Sequence, residues 1–139
     1  MPADLYDYAV IRVVPRVERE EFINAGILLS SQPAQWLRAE IALDETRLAL
    51  LDPDIDLVAV RRHLVALTKI CAGNPAAGPI AQLPLRARFH WLTAKRSSII
   101  QTSPVHTGKS SDLNATLGHL MHTLVCTPKP RKRPGHRAT

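Results

Sequence analysis

The residues best suited to chemistry cluster between Leu85 and Asp112. Arg86, Arg88 and His90 alternate with Ala87, Phe89 and Trp91; Ser97, Ser98 and Ser103 follow, and His106 opens the stretch HTGKSSD, with no acid before Asp112. A hydroxyl nucleophile needs a base in reach and an acid to orient that base. Ser97, Ser98 or Ser103 with His90 or His106 supplies the first two, and Glu20 or Glu21 the third. Cations without carboxylates suit an anion instead, and Arg12, Arg88, His90, Gln101, Ser103 and His106 are the residues expected to bind an anion or a partner. The Gly-Lys-Ser of residues 108–110 invites comparison with a phosphate loop, but that motif needs glycine where this chain has Ser103. A weaker form remains, in which small residues lead into a helix whose free N–H groups attract an anion, or in which Ser110, Ser111 or Asp112 caps that helix.

The histidines predict no metal site. His119 and His122 lie opposite the leucine stripe of the last helix, and no Cys, Asp or Glu stands within a turn to complete a ligand set. The two cysteines, Cys71 and Cys126, show no redox spacing, and Cys71 falls on an apolar helix face. No cofactor motif is present, and a non-enzymatic protein is the expectation.

The positioning elements follow from periodicity. Residues 6–14, 24–31 and 35–43 are β-rich runs joined by short connections, which predicts an antiparallel meander. Both faces of the first run are apolar, so it belongs at the centre of the sheet. Residues 44–53 can form a short helix. A longer one is expected from Asp52 as N-cap to Gly73, with Leu57, Val60, Leu64, Leu67 and Cys71 on one face. Residues 85–93 and 97–103 read as two further strands, and residues 111–125 as a helix with Leu113, Leu117, Leu120, Met121 and Leu124 in a stripe. The predicted fold is α+β, a mostly antiparallel sheet of about five strands in the order β-β-β-α-β-β-α, with two main helices on one face.

Length predicts one domain over residues 1–125, with residues 126–139 as a disordered basic tail. The formal charge of +6 is uneven: residues 1–85 hold 8 Lys/Arg against 11 Asp/Glu, whereas residues 86–139 hold 10 against Asp112 alone. That layout admits non-specific nucleic-acid binding through residues 86–109 and the tail, although no nucleic-acid-binding motif accompanies it. The start MPADLYDYAV has no signal-peptide pattern, and no apolar run approaches the roughly 20 residues of a membrane span, so a cytoplasmic protein without membrane contact is expected.

Three segments carry a family resemblance: YDYAVIRVVPRVEREEFINAGILL, LALLDPDIDLVAVRRHLVAL and RARFHWLTAKRSSIIQTSPVHTG. Within them stand Arg19, Glu21, Phe22, Asn24 and Gly26, then Ser98, Ile100, Gln101, Thr102, Ser103, Pro104, His106 and Gly108. Together they resemble the bacterial domain-of-unknown-function family 3037 over about residues 5–125. The resemblance brings no catalytic residues. It implies an accessory or regulatory protein, with a HipA-like serine/threonine kinase as partner. Physically, Arg19, Glu21, Asn24 and Gly26 suit a structural motif: a buried pair of Glu21 with Arg19 or Arg88, Asn24 bonding backbone, and Gly26 permitting a bulge or close approach. The alternatives are nucleic-acid binding, and a small hydrolase or nucleotidyl enzyme using His90 or His106.

Overall fold

The computed structural model describes residues 3–128, so most of the predicted tail lies outside the described residues. Strand β1 (Asp4–Val13) pairs antiparallel with β2 (Ile23–Ser31), and β2 pairs antiparallel with β3 (Trp36–Ile41). Helices α1 (Glu45–Leu51), α2 (Leu57–Cys71) and α3 (Leu85–Thr93) follow. The chain then returns to the sheet through β4 (Ile100–Thr102) and β5 (His106–Ser110), and closes with α4 (Leu113–Leu120) and a π turn (Met121–Val125).

As its two apolar faces predict, β1 is central. Its far side is shared: β4 pairs with Ile11–Val13, and β5 pairs with Asp4–Tyr8. The α+β class and the five antiparallel strands therefore stand. Three details differ.

The first is residues 85–93, which form α3 rather than a strand. The segment fits both periods, since Phe89 and Trp91 share a strand face while Leu85, Phe89 and Leu92 share a helix face. The positions along β1 are already taken by β4 and β5, so this segment could join the sheet only at an outer edge. Burial decides the period: Phe89 is 0% and Leu92 4% exposed, while Trp91 is 37% exposed. The second detail is β5, which forms where a turn of small residues was expected.

The third is the placement of the helices. Ile11, Val13, Ala25 and Leu28 pack against α1, α2 and α3 through Leu48, Val60, Leu64, Leu67, Phe89 and Leu92. On the other face Val10, Ile27 and Leu29 pack against Leu117, Leu120, Met121 and Val125 of α4 and its π turn. Two main helices on one face would leave half of this apolar sheet wet.

Capping also departs from expectation. Asp56 caps α2 by accepting from the Ala59 N–H at 3.0 Å, and Asp44 caps α1 by accepting from the Arg47 N–H at 3.1 Å. Asp52 instead accepts from the guanidinium of Arg16 at 3.3 Å and from the Asp54 N–H at 3.1 Å, which withdraws it from the helix start. In the last helix the Cys126 N–H bonds Met121 O at 2.9 Å, five residues back, so the stripe slips by one. Val125 is buried in place of Leu124.

The residues around Gly26 make contacts that differ in part from those expected. Arg19 and Glu21 do pair, but the pair is exposed, and Arg88 lies elsewhere. Asn24 bonds backbone as expected: its Nδ2 donates to Leu124 O at 2.9 Å, tying β2 to the π turn. The β1–β2 register shifts between Ile11 and Arg12, leaving Ala25 as the extra residue of a bulge beside Gly26.

Candidate functional site

The β1–β4 pairing sets Arg12 opposite Gln101, with Ser103 one step beyond. These three residues line a groove of about 360 Å³ together with Thr93–Arg96, Thr102, Pro104 and Val105. Its edge is open, because β4 has a strand partner only in β1. Arg12, Lys95 and Arg96 are the charged residues of the wall, and no Asp or Glu lines it.

The cations are held without carboxylates. The Arg12 guanidinium lies 4.1 Å from the centre of the Phe22 ring, and its buried Nε has no hydrogen-bond partner. The Arg96 guanidinium lies 4.5 Å from the Trp91 ring centre and donates to the Trp91 carbonyl. Stacking fixes a guanidinium plane while leaving its charge uncompensated. Gln101 Nε2 donates to Ser98 O at 2.9 Å, which spends the amide donor on the loop and leaves the carbonyl end free of any intramolecular bond among the described residues.

Ser103 is placed as a structural bridge. Its backbone N–H donates to Val10 O at 2.9 Å, its Oγ accepts from the Val10 N–H at 2.8 Å, and its hydroxyl donates to Pro104 O at 2.9 Å. It is 5% exposed and stands in the ladder where β4 hands over to β5. Removing the hydroxyl orphans the buried Val10 N–H, so Ser103→Ala is expected to lose about 1–3 kcal/mol of stability, measured by urea unfolding. Retention of full stability would show that the bridge carries no weight.

The other expected site residues lie apart. His106 is exposed on β5, its ring 5.2 Å from that of Tyr8. Arg88 points into the seam between α2 and the turns after it, donating to Ala81 O at 3.2 Å. His90 is exposed on α3 near Asp7. Thus β1 and β4 bring Arg12, Gln101 and Ser103 together, while Arg88, His90 and His106 sit at three other places, because residues 85–93 turn as helix. The shared cationic face expected along an extended 85–103 does not form.

Lys95 and Arg96, from the segment between α3 and β4, complete the groove. Asp7 escaped notice. It accepts from Arg86 Nη1 at 2.6 Å and from Thr107 Oγ1 at 2.7 Å, joining β1, α3 and β5. Burial works to raise the Asp7 carboxyl, but the Thr107 and Arg86 hydrogen bonds and the Arg86 and His90 charges outweigh it and hold the group below 3.8. A lowered native value stabilises the fold above the unfolded carboxylate range and loses that contribution as pH falls through the native value. The stability gap between the wild type and Asp7→Asn should therefore be flat above about pH 5 and close below about pH 4. Urea midpoints across pH check it; a gap that widens with acid contradicts the sign.

Both cysteines are free thiols, and burial pushes the Cys71 thiol up to about 12. Among the described residues no group of three His, Cys, Asp or Glu is placed to hold a metal, and no helix is long and apolar enough to cross a membrane.

These features define a small α+β protein whose antiparallel sheet is covered by helices on both faces and carries an acid-free groove at one open edge. The chain belongs to the family described as Protein of unknown function (DUF3037), which it matches over residues 8–125. No curated protein and no solved structure matches it.

Proposed function

We propose that this chain is a non-enzymatic binding module that takes an anionic segment of a protein partner in the groove beside β4. The observation that carries the reading is the convergence of Arg12, Lys95 and Arg96 on one hollow whose lining has no carboxylate. Arg12 adds weight, since its guanidinium is held over the Phe22 ring and pairs with no carboxylate among the described residues. The open edge of β4 offers backbone donors and acceptors to an extended peptide. An accessory role fits the engaged hydroxyl of Ser103 and the buried, protonated thiol of Cys71. The HipA-like kinase implied by the family resemblance is the partner proposed to carry the segment.

The test is fluorescence anisotropy of a labelled acidic peptide against the full chain. Binding is expected to weaken steeply as salt rises and to fall at least about tenfold in a Lys95→Glu, Arg96→Glu double variant, both sites being exposed. Unchanged affinity in that variant would sink the reading. Tighter binding of a single-stranded oligonucleotide would transfer the groove to nucleic acid, the role otherwise assigned to the basic tail.

A further inference from the structure

The groove does not stop at Arg96. Ala94, Arg96, Gln101 and Thr102 also line a second cavity of about 160 Å³. Its walls are mostly apolar, with Leu67 and Ile70 from α2, Trp91 and Leu92 from α3 and Ile100 from β4, while His63 and Ser98 add polar groups to the lining. Beyond it, Ala66 and Ile70 are shared with a third hollow of about 430 Å³ along α2, which Arg62 and Lys69 flank. Through these shared residues the three hollows lie side by side from the sheet edge to the turn after α2, and no Asp or Glu lines any of them. Arg62, Lys69 and Lys95 form no ion pair among the described residues.

Cation, apolar slot and cation again is the complement of a particular ligand pattern. An apolar cavity of about 150 Å³ holds a benzene ring, so the central slot has room for a single large side chain. Resting on the reading that the groove takes an acidic segment, we infer that this segment carries one bulky apolar residue, phenylalanine or leucine in size, between acidic flanks. The apolar side chain seats against Trp91 and Ile70. The flanking carboxylates meet Lys95 and Arg96 on one side and Arg62 and Lys69 on the other. Charge then sets register and encounter rate while the buried anchor supplies the affinity. A stacked single strand of nucleic acid fits less well, because Arg96 covers the ring face that a base would stack on, whereas an apolar side chain needs only the part of Trp91 that lines the slot.

Two labelled acidic peptides, one with a central phenylalanine and one with alanine there, separate this inference from the reading beneath it. The phenylalanine peptide is expected to bind the full wild-type chain at least about tenfold tighter. Ala66→Phe, at an exposed position lining the slot, should abolish that advantage, so that the two peptides bind the variant equally. Should Ala66→Phe fail to fold, wild-type tryptophan emission decides: the phenylalanine peptide shifts it further than the alanine peptide, because both bring a carboxylate to Arg96 over Trp91 but only phenylalanine enters the slot that Trp91 walls, and equal shifts overturn the anchor. Equal, salt-sensitive binding of both peptides overturns the anchor and keeps the groove. Absence of binding by either overturns both. An unlabelled oligonucleotide that displaces the phenylalanine peptide no less well than an unlabelled copy of it overturns the choice of a peptide ligand.

Discussion

Phe89→Ala should destabilise the chain by about 4 kcal/mol, the range expected when a fully buried aromatic is truncated. Phe89 is fully buried in the cluster that joins α2 and α3 to the sheet, and no other residue of α3 is as deeply set. Its loss leaves a cavity in the core cluster that α2 and α3 share with the sheet, which close packing prevents from simply collapsing. Trp91→Ala is the informative companion. As a strand, residues 85–93 would place the two aromatics on one side and predict comparable losses. As a helix they diverge, and the half-exposed Trp91 should cost markedly less. Urea midpoints at constant m decide it, and equal losses would contradict the helical packing.

Gly26→Ala is the second large effect, about 2–4 kcal/mol. A Cβ at Gly26 would fall on the Glu40 carbonyl oxygen, and would lie 2.8 Å from Ile41 Cδ1 and 3.3 Å from Ile11 Cδ1. The carbonyl is backbone in the β2–β3 ladder and cannot retreat without breaking the pairing of Ile27 with Glu40. Gly108 provides a control. There the obstacle is the Tyr6 ring, which has solvent on one side and can swing away, so Gly108→Ala should be much milder. A Gly26→Ala chain within about 0.5 kcal/mol of wild type would mean that the bulge absorbs the methyl group.

Much of the fold is legible in the sequence, and the failures have physical causes. Strand β1 is readable because both its faces are apolar, and α2 because Val60, Leu64, Leu67 and Cys71 keep helical spacing. Residues 85–93 mislead because nine residues with aromatics at two-residue spacing satisfy either period, and the burial of Phe89 and Leu92 in the folded core breaks the tie. Helix α4 is readable over Leu113–Leu120, but a π turn shifts the stripe and exposes Leu124, whose carbonyl, at the unpaired end of the helix, accepts from Asn24. Strand β5 is hidden because His106–Ser110 is polar and small, and it becomes a strand by completing the ladder to Asp4–Tyr8.

The candidate site follows the same logic. Arg12 and Gln101 meet because register pairs them across β1 and β4, a fact about long-range pairing that local pattern does not contain. The near-neutral body conceals the groove, because its cations come from one strand and one linker whose charge matters only once folded. Arg86, which belongs to the same basic run, is taken up by Asp7 and contributes to stability instead. The charge asymmetry between the two halves of the chain is therefore divided between holding the fold and leaving one surface without acids.

The groove itself is most directly tested by nuclear magnetic resonance of the full chain titrated with the phenylalanine-bearing acidic peptide. Amide shifts should concentrate at residues 93–105 and at the exposed turns of α2 near Ala66, with Arg12 and Trp91 side-chain signals moving in step. Shifts confined to β3, α4 or the residues after 128, with residues 93–105 silent, would place recognition elsewhere and contradict the account.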